Sequence, residues 1–91
     1  MKSFTEVVDG RTIEVVNGWP TSPIYVNSRR VGNLVKKTLG WQFESHGKGY
    51  TYKGFAAAFT WKGACKDFVR AMREDGRLAE LIDQIAGSGE T

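Results

Sequence analysis

His46 and Cys65 are the residues whose types suggest nucleophile–base or metal chemistry, and each type occurs once in this 91-residue chain. A catalytic Cys–His pair needs the two side chains within hydrogen-bond reach, and a zinc site needs three or four ligands. Cys65 falls on an apolar helical stripe and is interpreted as a small buried hydrophobe. His46 lies at an expected loop tip and is interpreted as solvated. The sequence therefore predicts no metal, no cofactor and no enzymatic activity.

The run Gly47-Lys48-Gly49 has the composition of a phosphate-binding loop. A Walker loop needs its full glycine–lysine spacing and opens a helix directly after a strand. Here the glycines join two predicted strands, so the run is interpreted as the turn of a hairpin.

Basic residues are concentrated in the middle of the chain. Residues 24–73 carry ten Lys and Arg side chains against Glu44 and Asp67, a net charge of +8, whereas residues 1–23 carry −1 and residues 74–91 carry −4. A positive field attracts a polyanion, because neutralised phosphates release condensed counterions. A solvated cationic surface without a partner and an acidic protein partner are the alternatives.

Paired basic residues and interleaved aromatic residues supply the candidate contacts. Side chains alternate between the two faces of a strand, so one member of each basic pair is expected on the open face. Basic side chains contact phosphates, and aromatic rings stack on bases or sugars. The candidate nucleic-acid-binding residues are Arg29, Arg30, Lys36, Lys37, Trp41, Lys48, Tyr52 and Lys53.

Strand alternation also allows an inward position for the aromatic candidates. In that alternative, Trp41 shares a buried face with Phe43, and Tyr52 shares one with Tyr50. The tyrosine hydroxyls would then need water or a polar partner.

The elements that position these residues begin with a β-hairpin. Two β-branched runs, at 4–8 and 11–16, are joined by Asp9-Gly10, a strong two-residue turn signal. Glu6 and Arg11 lie diagonally on the rim of the hairpin and are expected to pair. The predicted buried face collects Phe4, Val8, Ile13 and Val15.

Further strands follow a loop at 17–23, which holds both prolines of the chain. Trp19 in this loop is interpreted as a cover for the core in preference to a ligand platform. A tight turn is predicted at 38–40. The predicted strands are residues 24–26, 31–37, 41–45, 50–53 and 55–59.

The hydrophobic period changes at Thr60, which is a good N-cap. Apolar residues then recur at three- and four-residue steps, predicting a helix of about 14 residues that ends near Gly76. A second short helix follows, and residues 87–91 are expected to fray. The inward residues are Trp61, Ala64, Cys65, Phe68, Val69 and Met72 in the first helix, and Leu78, Leu81, Ile82 and Ile85 in the second.

Strands first and helices last predict an α+β fold. We expect an antiparallel sheet, made of the N-terminal hairpin and about three further strands, packed against one or two C-terminal helices. Residues 1–87 are expected to form a single domain and residues 88–91 a flexible tail. A single cysteine and the absence of any long apolar stretch predict a cytoplasmic protein with no membrane contact.

Residues 31–73 carry a strand–strand–strand–helix pattern. The run from Asn33 to Lys37, the turn at 38–40 and the run from Trp41 to Ser45 resemble the first two strands of the AP2/integrase-type DNA-binding domain. The segment from Tyr50 to Cys65 is similar to that family's third strand and its Phe-x-Thr-x-x-x-Ala entry into a helix.

This resemblance implies a three-stranded sheet in the DNA major groove, with the helix packed behind the sheet. By the same resemblance, Phe43, Phe59, Ala64 and Phe68 would form the core, and Arg30, Lys36, Lys37, Trp41, Lys48 and Lys53 would face DNA. The overall style of the chain is also similar to that of small phage-encoded proteins.

Together these patterns favour a small non-enzymatic DNA-binding protein that binds double-stranded DNA through a basic sheet face and neighbouring loops. A transcriptional or recombination accessory role would fit. The alternative is a protein-binding module or inhibitor that docks on an acidic host protein, with Trp19, Trp41 and Tyr52 as anchors. The apolar stripe of the second helix either packs on the sheet or mediates a homodimer.

Overall fold

Six strands follow one another in a single antiparallel sheet whose spatial order is the order of the chain. The computed structural model describes residues 2–38, 40–47, 49, 51–55 and 60–88. The elements are β1 (Ser3–Val8), β2 (Arg11–Val16), β3 (Thr21–Val26), β4 (Arg29–Lys37), β5 (Gly40–Ser45), β6 (Thr51–Phe55), α1 (Trp61–Glu74) and α2 (Gly76–Ser88). The predicted α+β fold is confirmed, with four strands after the hairpin.

Two tight turns set the start of this sheet. Asp9 and Gly10 have φ angles of 50° and 80°, and Asn27 and Ser28 have φ angles of 50° and 70°. Left-handed conformation at both central residues is the type I′ geometry that matches the twist of a hairpin. The predicted register of the first hairpin is confirmed, with Val8 opposite Arg11 and the alternate positions following in step.

Strand β3 begins at Thr21, inside the predicted loop, and includes Pro23. A proline lacks the N–H that a central strand normally donates. The pairing of β3 with β2 ends at Ile24, so at Pro23 only the β4 side of the strand is paired. Strand β4 begins two residues earlier than predicted, and Gly40 belongs to β5 instead of the turn.

One face of the sheet is covered by both helices. The predicted inward residues of α1 are confirmed from Ala64 to Met72, and Trp61 is partly buried. In α2 Leu78, Ile82 and Ile85 are buried in this core and Leu81 is partly buried against it, so the predicted stripe packs on the sheet. The buried sheet residues are Val8, Ile13, Val15, Ile24, Val26, Val31, Leu34, Trp41 and Phe43.

The sheet curves around α1. This helix contacts β1 and β6, which are the two edge strands, whereas α2 contacts β4. In a flat six-stranded sheet the edges would be about 24 Å apart, at about 4.8 Å per strand, and a helix is only about 10 Å wide. Contact with both edges therefore requires that they bend toward each other.

Ion pairs join the hairpin to the helices. The prediction that Glu6 pairs with Arg11 is wrong, because each finds a helical partner. Arg73 Nη2 lies 3.1 Å from Glu6 Oε2, and Arg11 donates two hydrogen bonds of 2.7 Å to the carboxylate of Asp83. Because α2 folds over the hairpin, Asp83 lies within hydrogen-bond distance of Arg11 and takes the place predicted for Glu6.

Replacing Asp83 with Asn should flatten the acid dependence of stability. The hydrogen bonds from Arg11 lower the pKa of Asp83, although partial burial opposes this. A carboxyl with a lowered folded-state pKa stabilises the fold above its ordinary pKa near 4, and that stabilisation is lost as pH falls through the folded-state value. Because Asp83 is solvent-accessible, we expect an effect below about 1 kcal/mol.

The measurement is the free energy of unfolding at pH 7 and pH 3 for wild type and Asp83→Asn. Glu80→Gln is the matched control, since it removes an exposed carboxylate from the same helix. Equal pH dependence in wild type and Asp83→Asn would contradict the contribution of this pair.

Candidate nucleic-acid interface

The strands all run between the same two ends of the molecule. The Asp9-Gly10 turn, the Asn27-Ser28 turn and the β5–β6 connection lie at one end, which we call the turn end. The opposite end holds the start of β1, the β2–β3 loop, the β4–β5 turn and the start of α1. We call it the lysine end and define it by Lys2, Trp19, Lys36, Lys37 and Lys62.

The lysine end collects cations from three separate segments, which are the residue before β1, the end of β4 and the start of α1. Glu44 of β5 reaches one of these cations, Lys37. Between residues 15 and 66 the only acidic residue is Glu44, and residues 1–5 contain none. Lys2 and Lys62 are exposed and form no ion pair within the described part of the chain. The N-terminus of α1 has no acidic residue in its first turn, so its partial positive charge adds to the field.

Lys36 and Trp41 lie opposite each other on the helix-covered side of the sheet. Trp41 is only 4% exposed, so the inward alternative is confirmed and its ring is not open for stacking. Its centroid lies 6.3 Å from that of Trp19 in an edge-to-face arrangement. Trp19 therefore contacts the core residue Trp41, as expected of a cover, but it covers the core only in part because 74% of it remains exposed.

Lys37 lies on the open face of the sheet, where its Nζ is 3.1 Å from Glu44 Oε2. Register places Glu14, Arg30 and Glu44 on this same face. Two carboxylates among the described side chains therefore offset the two cations. The open face is not the uniformly basic surface that alternation suggested.

Arg29 and Arg30 lie at the turn end, at the far end of β4 from Lys36 and Lys37. Arg30 is half-buried, and its Nη2 donates a 2.7 Å hydrogen bond to Asn33. Lys48 lies outside the described residues. Lys53 belongs to β6, and its side chain lies outside the described part. The structure therefore separates the two basic pairs instead of bringing them together.

Tyr52 faces the helices, opposite Phe43. Its hydroxyl donates a 2.8 Å hydrogen bond to Asp75 between the two helices. This bond raises the pKa of Tyr52, with burial in the same direction, and lowers the pKa of Asp75. Tyr52 thus has a structural partner and lies near the turn end, away from the lysines.

The described carboxylates of the C-terminal segment lie toward the turn end. Asp83 pairs with Arg11 beside the first turn, and Asp75 bonds Tyr52. An open cleft of about 900 Å³ there is lined by Tyr52, Asp67, Arg70, Ala71, Glu74, Asp75, Gly76, Arg77 and Glu80. Its four carboxylates outnumber its two guanidinium groups, so it complements an anion poorly.

A smaller cleft, of about 340 Å³, opens at the lysine end beside the start of α1. It is lined by Lys2, Ser3, Phe4, Asn17, Trp61 and Lys62. Two lysines therefore border a concave surface with an apolar floor, and no acidic side chain lines it.

Cys65 and His46 are the remaining candidates for chemistry. Cys65 is fully buried, and desolvation raises its pKa to about 12, so the thiol stays protonated at neutral pH. His46 is exposed at the β5–β6 connection. Within the described residues no group of three or more His, Cys, Asp or Glu side chains could hold a metal ion. Neither described helix combines the length and apolar composition of a membrane span.

Comparison with protein-family models, with curated proteins and with solved structures finds no match for this chain. The candidate site therefore rests on its own geometry. Lys2 and Lys62 belong to it although the sequence pattern did not single them out for binding, and Trp19 was predicted only as an anchor for a protein partner. Tracing which loops of an up-and-down sheet share an end would have brought them together.

Proposed function

We propose that this protein is a non-enzymatic DNA-binding module whose lysine end contacts the phosphate backbone. The observation that carries the proposal is the convergence of Lys2, Lys36, Lys37 and Lys62 on one end. Glu44, which pairs with Lys37, is the single acidic residue between positions 15 and 66. Glu80 and Asp83 of α2 lie toward the other end, where carboxylates and arginines are mixed, so the lysine end is the more uniformly positive pole of the molecule.

Phosphate binding at such a pole is favoured by the release of counterions from the nucleic acid. The molecule measures 34 × 28 × 25 Å, so one end spans roughly eight nucleotides at about 3.4 Å each. Four lysines from three separate segments can contact several phosphates within that length. Contacts of this kind supply affinity without reading the sequence.

The double variant Lys36→Ala/Lys37→Ala should weaken binding to DNA of any sequence. Losing two phosphate contacts should reduce the slope of log K against log salt by about 2 and lower affinity roughly 10- to 100-fold at 50 mM salt. The measurement is fluorescence anisotropy with 15-nucleotide DNA, duplex and single-stranded, at about 50 and 200 mM salt.

The matched control is Arg29→Ala/Arg77→Ala, which removes the same charge from the turn end, where both residues are exposed. It should change affinity for DNA by less than about threefold, because salt screens the interaction between the bound DNA and charges at the far end of the molecule. Equal losses in the two variants would overturn the assignment to the lysine end. Absence of binding at 50 mM salt would overturn the proposed function.

A second candidate follows from the exposed ring of Trp19. Interfaces between proteins are enriched in Trp anchors at their centre, and the surrounding lysines would fit an acidic protein surface. In that case the wild-type protein would bind an acidic protein but not DNA, and Trp19→Ala would abolish the binding of the acidic protein. DNA binding whose affinity falls steeply as salt concentration rises favours the first candidate.

A further inference from the structure

Trp19 is largely exposed, although burial of its ring would stabilise the fold. Its side chain is 74% exposed, and among the described residues Val7 is the other large hydrophobic side chain left open. Burying an aromatic ring is strongly favourable, and the apolar core lies directly beneath, reached through Trp41. The ring nevertheless stays outside the core.

The loop that carries Trp19 is held on both sides by hydrogen bonds. Asn17 N donates to Lys2 O at 3.0 Å, and Lys36 N donates to Pro20 O at 2.9 Å. The fully buried Ser22 accepts from Gly18 N at 3.2 Å and donates to Gly18 O at 3.0 Å. The exposed ring therefore sits on an ordered backbone.

Gly18 is required for this arrangement. A Cβ at this position would clash with the carbonyl oxygen of Thr21. The tight approach between the two ends of the loop therefore fixes the position from which Trp19 projects. A ring presented this way loses little conformational entropy when it binds.

The surface that Trp19 presents is flat and aromatic, and two lysines of β4 lie close to its loop. With 74% of the side chain exposed and only an edge-to-face contact to Trp41, at least one face of the indole is open. Lys36 is tied to this loop through Pro20, and Lys37 follows it in β4. Lys37 would exchange its partner Glu44 for a phosphate when it binds. An open aromatic face beside lysine side chains matches the composition of single-strand binding sites.

We propose that Trp19 is a stacking platform for an unpaired base, so that the preferred ligand of the lysine end is single-stranded nucleic acid. This inference rests on the proposed function and specifies its ligand. In a duplex the bases stack on one another and offer only their edges in the grooves. A single strand can place a base on Trp19 while its phosphates contact Lys36, Lys37 and Lys62.

The test compares a 15-nucleotide oligo-dT with a duplex of the same length, for wild type, Trp19→Ala and Trp19→Phe. Trp19→Ala should weaken oligo-dT binding roughly 5- to 150-fold, the range of one base stacking on an aromatic ring. Duplex binding should change by less than twofold. Trp19→Phe keeps an aromatic face and should recover most of the affinity.

Tryptophan fluorescence gives a second measurement on the unaltered protein. Oligo-dT should quench the emission of wild type, and the quenching should be lost in Trp19→Phe, which retains Trp41 and Trp61. An oligo-U of equal length distinguishes RNA from DNA as the source of the strand, and stacking on either supports the inference.

Two failures are distinguishable. If Trp19→Ala changes binding to both ligands equally or not at all, while Lys36→Ala/Lys37→Ala still weakens it, the stacking inference is overturned and the proposed function stands. If wild type binds neither ligand at 50 mM salt, both are overturned.

Discussion

Gly32→Ala should destabilise the fold by about 3 kcal/mol, at the upper end of the usual cost of overpacking. Gly32 lies in β4 between Ile24 and Ser45. A Cβ there would clash with the carbonyl oxygen of Glu44 and lie 2.7 and 2.9 Å from Cε1 and Cζ of Phe43. One obstacle is the backbone of the neighbouring strand, and the other is a ring fixed in the core. Neither can move without separating β4 from β5 or displacing the core.

Urea denaturation followed by circular dichroism measures this loss. Gly76→Ala is the matched control, because it makes the same chemical change where a Cβ would meet nothing within 4 Å. Ala at this helical position should be neutral or stabilising by up to about 1 kcal/mol. Similar midpoints for the two variants would show that β4 and β5 are packed less closely than this structure has them.

Phe68→Ala should cost about 3–5 kcal/mol, the range for removing a buried aromatic ring. Phe68 is fully buried in α1, and its ring stacks on Phe43 at a centroid distance of 5.7 Å. Removing it leaves a cavity between helix and sheet and deprives Phe43 of its partner. A domain of this size has a total stability of about 5–14 kcal/mol, so this single change removes a large part.

The free energy of unfolding of Phe68→Ala is best compared with that of Trp19→Ala. Both variants delete a large aromatic ring, but Trp19 is mostly exposed, so its removal should change stability by less than about 1 kcal/mol. A small effect of Phe68→Ala would mean that the helix–sheet core tolerates a cavity. A large effect of Trp19→Ala would mean that its contact with Trp41 supports the fold.

The local parts of this fold were predictable because local chemistry decides them. Asp9-Gly10 takes the left-handed turn that a hairpin needs, which fixes the register of β1 and β2. Thr60 caps α1 by accepting a hydrogen bond from Gly63 N, and the helical period assigns the inward face. In each case the determining residues are within a few positions of one another.

The positions of the candidate residues were less predictable because they depend on irregularities in the strands. The pairing of β3 with β4 shifts between Ile24 and Tyr25, and that of β5 with β6 shifts between Trp41 and Phe43. Each shift changes which side chains share a face. A glycine lies beside each shift, Gly32 in β4 and Gly54 in β6, but a glycine in a strand does not by itself show where the register changes.

Position along the strands matters as much as the choice of face. Arg29 and Lys37 belong to the same strand but lie at opposite ends of the molecule. In the sequence both residues belong to the same basic segment, residues 24–73. The AP2/integrase-type resemblance assigned Lys36, Lys37 and Trp41 to a single DNA-facing surface, and it stays a prediction that the binding measurements above can test. In the structure, Lys36 and Trp41 lie on the helix-covered side and Lys37 on the open side.

The order of the strands has a consequence for how the chain folds as it is made. Every strand pairs with its neighbour in sequence, so the sheet can assemble hairpin by hairpin while the ribosome is still adding residues. Its cover, α1 and α2, comes last. Residues 56–91 take about 2–7 s to synthesise at roughly 5–20 residues per second, so the sheet is completed in sequence before its cover. Until the helices pack, the apolar face of the sheet is an aggregation-prone surface.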